Sequence, residues 1–251
     1  MSIATEERYV RNPKNWIIFD GKSLADFKLY CSGDKTFSAP QRNVDLITIP
    51  GRNGSLVRDK GTFANITVEY SCWIPSNFRQ NIEGLRNYLL SKAGYKRLED
   101  TYDPDTFRLA VFQGPLDVSA YYSSTFGSFT LQFQARPERF LKSGETAIAL
   151  SAGSNTITNP TLFKAKPLIE VSGNDDASIT VGDKVITLTD NVSQMFIDVE
   201  NLNAYGPNGT NMNNKIEVTD KNKWFELEPG VNTVYVSGFT YVNLTPRWWI
   251  L

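Results

Sequence analysis

Two stretches of the chain alternate apolar and polar residues with a period of two. Ile66, Val68, Tyr70, Cys72 and Ile74 interleave with Thr67, Glu69, Ser71 and Trp73. Phe129, Leu131, Phe133 and Ala135 interleave with Thr130, Gln132, Gln134 and Arg136. Successive side chains of a strand point to opposite faces, so each stretch predicts a strand with one buried and one wet face. Residues 107–112 read as a further strand, entered from the turn Asp103-Pro104-Asp105. A strand through Ile47 and Ile49 stops at Pro50-Gly51, because Pro lacks a ladder N–H and Gly accepts positive φ. One segment has helical spacing instead, with Phe78, Ile82, Leu85 and Leu89 on one face. Ser76 or Asn77 is placed to cap its start and Gly94 to stop it, while Gly84 inside it weakens the pattern.

After Phe140 the pattern changes. Residues 141–160 are rich in Ser, Thr, Gly, Ala and Asn and read as a linker or the start of a second domain. Short strands follow at regular spacing, near 168–171, 178–181, 184–189, 195–199, 215–218, 224–227, 233–236 and 241–244. Turn residues separate many of them, as at Asn174-Asp175, Gly182-Asp183, Pro207-Asn208-Gly209 and Pro229-Gly230. Many short strands without helical period predict an antiparallel β-sandwich or jelly roll. The expectation is a mainly β protein of two domains, 1–140 and 141–251.

Composition narrows the chemistry. The chain has no histidine, which removes Ser-His-Asp and Cys-His catalysis and His-containing zinc sites. Its formal net charge is −1, against a protein held to nucleic acid by phosphate neutralisation. With 41% hydrophobic and 12% aromatic residues it can bury a core. Two cysteines are too few for a disulfide scaffold or a four-cysteine zinc site. Cys72 is in phase with Tyr70 and Ile74 and reads as a small buried hydrophobe, with a Cys31–Cys72 disulfide or a reactive thiol as alternatives. Residues 1–11 lack the apolar stretch of a signal peptide, and no run approaches the ~18 apolar residues of a membrane span. The chain is therefore expected to be made in the cytoplasm, with no membrane association.

Few motifs carry chemistry. Glu99, Asp100, Asp103 and Asp105 could serve glycoside hydrolysis or bind calcium, but Asp103-Pro104-Asp105 is also an ordinary turn with Asp bonded to local backbone. Asn174-Asp175-Asp176 reads as a solvated turn between strands. Phe19-Asp20-Gly21-Lys22-Ser23-Leu24 lacks phosphate-loop spacing and reads as a strand, a turn and a capped start. Arg52, Arg58 and Lys60 make the 50–61 loop basic, either as a solvated tip or as a protrusion that contacts a neighbouring subunit. Trp224, Trp248, Trp249, Tyr205, Tyr235 and Tyr241 fit a core or an interface, or a sugar-stacking surface. Of the adjacent pair Trp248-Trp249, one should be buried and the other exposed or held by a partner. No catalytic residue, metal ligand or cofactor is assigned.

Several pieces, in order, resemble one family. They are Phe19-Asp20-Gly21, Ile49-Pro50-Gly51-Arg52-Asn53-Gly54, Leu85-Arg86-Asn87-Tyr88-Leu89, and Phe129-x-Leu131-x-Phe133 followed by Arg136-Pro137. They continue with Asn159-Pro160, Lys166-Pro167-Leu168-Ile169-Glu170-Val171-Ser172-Gly173, Ile197-Asp198-Val199-Glu200, Phe225-x-Leu227-x-Pro229-Gly230-x-Asn232 and Pro246-Arg247-Trp248-Trp249. The family is the distal tail protein of long-tailed bacteriophages. The resemblance implies a tail-tube-like β-barrel or sandwich with one flanking helix, and an outward galectin-like sandwich. It implies six copies closed into a ring at the virion's tail tip, between the tail tube protein and the tail-associated tip protein. Receptor-binding or peripheral baseplate proteins would attach outside, and DNA would pass through the lumen without specific binding. Pro50, Gly51, Arg52 and Arg58 are then expected at inter-subunit or partner contacts. A wet face of Thr67, Glu69 and Ser71 or of Thr130, Gln132 and Gln134 is expected to line the channel. The longest evident loop of the second half, 203–214, is too short for the extended arm of some relatives. A carbohydrate-binding module contacting host cell-wall glycans is the alternative.

Overall fold

The computed structural model describes residues 15–121, 125–221 and 224–251. The chain divides into two compact units, Met1–Arg139 with Leu251, and Phe140–Ile250. It is mainly β, with several antiparallel sheets. Residues 1–11 lie outside the described residues. No helix among the described residues is long and apolar enough to cross a membrane.

The first unit contains β1 (Ile17–Phe19), β2 (Lys22–Ser23), β3 (Tyr30–Cys31), β4 (Arg42–Thr48), β5 (Ser55–Phe63) and β6 (Ile66–Ile74). The helix α1 (Phe78–Leu90) follows, then β7 (Lys96–Asp100), β8 (Thr106–Val111), β9 (Val118–Tyr121) and β10 (Phe126–Leu141). The main sheet runs β2-β1-β7-β8-β10-β6-β3, with β9 also on β10. Strands β6 and β10 are antiparallel in unbroken register from Gly127 opposite Ile74 to Ala135 opposite Ile66. That register puts Val68, Tyr70 and Cys72 on the same face as Phe129, Leu131 and Phe133, all buried. Phe19 packs on Phe133 at 4.9 Å between ring centres.

Helix α1 buries Phe78, Ile82, Leu85 and Leu89, as its spacing requires. Its start differs from expectation. Asn77 is left-handed (φ 48) and its side chain caps nothing, because that backbone turns it away from the first N–H groups. Gly94 lies in the following turn, and Ser91 ends the helix through its N–H to Asn87 O at 3.1 Å. Gly84 has a packing reason: a Cβ there would stand 3.2 Å from the Phe27 ring.

The second unit contains β11 (Ile148–Leu150), β12 (Gly153–Asn159), β13 (Leu168–Val181), β14 (Lys184–Leu188) and β15 (Val192–Asp198). They are followed by β16 (Asn203–Tyr205), β17 (Ile216–Val218), β18 (Gly230–Thr245) and β19 (Trp249–Ile250). Residues 148–150 and 153–159 are thus strands, not a linker. The expected strands 168–171 and 178–181 are one strand, as are 233–236 and 241–244. Strands β13 and β18 pair along both halves across register shifts at Ser172, Gly173 and Ser178. Asn174, Asp175 and Asp176 are therefore a bulge within β13, with Asp176 at φ 66, rather than a turn between strands. Residues 224–227 form no regular strand. They enter the core as buried Trp224, Phe225 and Leu227, fixed by paired N–H···O bonds between Ala165 and Leu227.

Candidate functional site

Strands β4 and β5 form a two-stranded ribbon that belongs to neither large sheet. Opposed residues are Thr48/Ser55, Ile47/Leu56, Leu46/Val57, Asp45/Arg58 and Val44/Asp59. Gly51 (φ 78) and Gly54 (φ 79) shape the tip, where Arg52 N–H donates to Ile49 O at 3.2 Å. Ion pairs brace the ribbon: Arg42–Asp59 at 2.6 Å and Lys60–Asp45 at 2.7 Å. The Arg42 hydrogen bond, then that from Gly61 N–H, hold the Asp59 carboxyl below its usual range. Pro50, Gly51 and Arg52 lie at the exposed tip, but Arg58 and Lys60 lie on β5, not in a loop. The sequence missed this strand because no residue of it is buried, so it lacks a period of two.

The ribbon shows apolar residues on both faces, among charged ones. Ile47 and Leu56 share one face with Asp45 and Arg58, and Val44, Leu46 and Val57 share the other with Asp59. Leu46 is 66% exposed and Val57 59%. An isolated two-stranded ribbon is marginally stable in water, and a contiguous exposed apolar patch marks an interaction site.

The second surface is the outer face of β6–β10. Ser71 opposes Thr130, Glu69 opposes Gln132 and Thr67 opposes Gln134. The register unites the two expected wet faces into one. Gln132 donates to Glu69 Oε1 and Gln134 to Thr67 Oγ1, both at 2.7 Å. These six positions offer hydroxyls, amides and one carboxylate, and Arg136 follows on the same face with its guanidinium 5.4 Å from the Tyr95 ring centre.

Behind it lies a charged residue that the sequence did not signal, since no pattern marks a lysine in an irregular segment. The side chain of Lys35 is 7% exposed, with Nζ 3.2 Å from the Tyr70 ring centre and 4.0 Å from Asp100 Oδ2. Nζ also donates to Glu69 O at 3.0 Å. Burial, only partly offset by Asp100, lowers the Lys35 pKa to about 8. Tyr70 donates to Asp100 Oδ2 at 2.5 Å.

The acidic cluster is structural. Asp100 Oδ1 accepts from Tyr102 N–H at 3.0 Å and Asp103 N–H at 3.1 Å, so Asp100 makes the turn bonds expected of Asp103. Asp103 pairs with Arg139 at 2.8 Å and Glu99 with Arg97 at 2.6 Å. No group of three metal-ligating residues exists among the described residues.

The sugar-stacking row does not form. Trp224 and Trp248 are 7% and 5% exposed, and Trp249 stacks on Phe163 at 4.3 Å. Tyr205 stacks on Phe196, Tyr241 donates to Glu170, and Tyr235 alone of the six is more than half exposed. A 420 Å³ cavity beside Trp224 is lined by Lys164, Glu228 and Asn232, and these bond to one another or to backbone. Segment 203–214 is a tight hairpin, closed by Gly206 N–H to Thr210 O and Met212 N–H to Ala204 O, both at 2.8 Å.

The sequence pieces that carried the resemblance meet in space as braces. Tyr88 donates to Phe19 O at 2.6 Å and Asn159 to Leu227 O at 3.1 Å. Arg247 donates to both oxygens of Asp198, at 2.8 and 3.3 Å. Burial raises the Asp198 pKa, but the bonds from Arg247 and Asn201 outweigh it and leave the carboxyl below its usual range.

No protein-family model matches the sequence, and no curated protein matches it. Solved structures do match. The phage p2 baseplate, in its activated conformation with strontium, contains a chain matching at TM-score 0.53 and 10% identity, over 92% of this chain and 96% of that one. The SPP1 Dit protein, described as a paradigm of the hub adsorption apparatus in phages infecting Gram-positive bacteria, matches at TM-score 0.75 and 15% identity. That match covers 94% of this chain and 99% of the SPP1 chain, so the two share a fold.

Proposed function

We propose that this chain is a structural component of a bacteriophage tail tip, six copies of which close into a ring. One observation carries the reading: 94% of the chain matches the fold of the SPP1 Dit protein. The first unit forms the ring and the second points outward as a galectin-like sandwich. The ring joins the tail tube protein to the tail-associated tip protein and holds peripheral baseplate or receptor-binding proteins. It is assembled in the host cytoplasm and resides in the virion. It performs no catalysis and needs no cofactor.

A head-to-tail interface closes only if each subunit adds an equal fraction of a turn. The exposed β4–β5 ribbon supplies a surface for that contact, with Pro50, Gly51 and Arg52 at its tip and Arg58 along β5 opposite Asp45. Thr67, Glu69, Ser71, Thr130, Gln132 and Gln134 line the channel. Those six positions carry hydroxyls, amides and one carboxylate and give DNA phosphates no cation to grip, while Arg136, next on the same face, lies over the Tyr95 ring.

Light scattering with negative-stain imaging tests this. Six-fold rings, single or stacked, support it; a monomer both alone and mixed with the cognate tube and tip proteins refutes it. The carbohydrate alternative predicts saturable binding of cell-wall glycans, and the buried Trp224 and Trp248 do not favour it.

A further inference from the structure

Cys31 and Cys72 are directly opposed on the antiparallel strands β3 and β6. Their sulfurs are 3.7 Å apart and both thiols are free and buried. The next pair, Ser32 and Ser71, is hydrogen-bonded through Ser32 N–H to Ser71 O at 2.9 Å. Bonded and non-bonded pairs alternate along an antiparallel ladder, so Cys31/Cys72 is a non-bonded pair. Such pairs have Cα atoms about 4.5 Å apart, inside the range a disulfide spans without backbone movement. Small side-chain rotations suffice to join the sulfurs.

We propose that Cys31 and Cys72 are a latent redox staple that closes into a disulfide when the protein leaves a reducing compartment. The oxidant is a small-molecule disulfide such as oxidised glutathione. The Cys31 thiolate attacks one glutathione sulfur, forming a mixed disulfide and releasing one glutathione thiolate. The Cys72 thiolate then attacks Cys31 Sγ and releases the second. Two protein thiols lose two electrons and two protons, and one glutathione disulfide becomes two thiols.

Cys31 acts first because β3 is two residues long and lies at the sheet edge, where it frays most easily. Burial holds the Cys72 thiol well up, while nearby Lys35 pulls it down. Closure is therefore slow until local opening admits the oxidant. The bond encloses residues 31–72, a loop that contains the whole β4–β5 ribbon. Oxidation would anchor the ribbon's approach through β3 and shrink the unfolded ensemble. The closure chemistry does not depend on the tail-tip reading, whereas its trigger, the move out of a reducing compartment, rests on it.

The test incubates the native protein with millimolar oxidised glutathione at pH 8, then alkylates under denaturing conditions and maps peptides. The expected result is loss of both alkylation sites, a mass decrease of about two daltons, and a single Cys31–Cys72 linked peptide. The unfolding midpoint should rise by about 5–10 °C. In Cys31→Ala the oxidant should leave the midpoint unmoved, which separates the staple from general oxidation. Persistent free thiols, a stable glutathione adduct, or linkage only between molecules would overturn the proposal.

Discussion

Strand β6 follows β5 after two residues, yet the two are buried in opposite ways. In β6 every second residue is buried, and in β5 none is. The β6–β10 pair therefore completes its energetics within the chain: apolar residues face the core and polar ones face out. The β4–β5 ribbon completes nothing, because it shows apolar residues on both faces and draws support from surface ion pairs worth little. A pair that buries its apolar residues and a pair that exposes them can be adjacent in sequence. Substitutions should tell them apart.

The largest effect is expected in the core pair. Phe133→Ala removes a fully buried ring packed against Phe19, Tyr70 and Phe112 and should cost about 3–5 kcal/mol of stability in denaturant unfolding. Leu46→Asp on the ribbon should instead change folding stability by less than about 0.5 kcal/mol. It should lower the assembled mass in light scattering to that of one subunit. A large stability loss from Leu46→Asp would mean that the ribbon serves the fold.

Next comes the brace of the second unit. Asp198→Asn leaves Arg247 only the longer pair to Glu200 at 3.7 Å and should cost about 2 kcal/mol, read by calorimetry. The folded Asp198 pKa is depressed, so its stabilisation is present above the unfolded value and is lost as pH falls below about 4. In the variant this acid-side loss should shrink.

Lys35 gives a smaller effect, again a stability that rises with pH but in the alkaline range. Its folded pKa lies near 8 and below the unfolded value, so between those values the unfolded state binds more protons. Stability of the first unit should rise by about 1 kcal/mol from pH 8 to pH 10, allowing for solvent screening. Lys35→Met should flatten that rise. The smallest change is expected from Glu69→Gln, with stability unmoved within about 0.5 kcal/mol. Glu69→Lys in an assembled ring should add salt-sensitive DNA retention, seen in gel shift, if that face lines the channel.

These differences also explain what was legible in the sequence. Period-two alternation is the imprint of one buried face, so β6 and β10 were evident and β5 was not. Strand β7 was missed because its one deeply buried side chain, Leu98, stands among charged residues paired at the surface. Strand β12 reads in the sequence as a linker or a domain start, not as a strand, because its inward residues include Asn155 and Asn159, whose amides bond to backbone instead of making an apolar stripe. The long strands β13 and β18 were read in halves, since their bulge places polar residues where a turn would. Of the candidate surfaces, the wet faces of β6 and β10 were legible by alternation. Their union into one face, and the Lys35 group beneath, came from pairing register and burial.

The central claim is that the β4–β5 ribbon is covered by another subunit, and amide hydrogen exchange across a dilution series tests it most directly. Residues 42–63 should be protected at high protein concentration and exchange rapidly on dilution, while β6 and β10 stay protected throughout. Ribbon protection that is the same at every concentration, in a sample whose mass changes on dilution, would contradict the account.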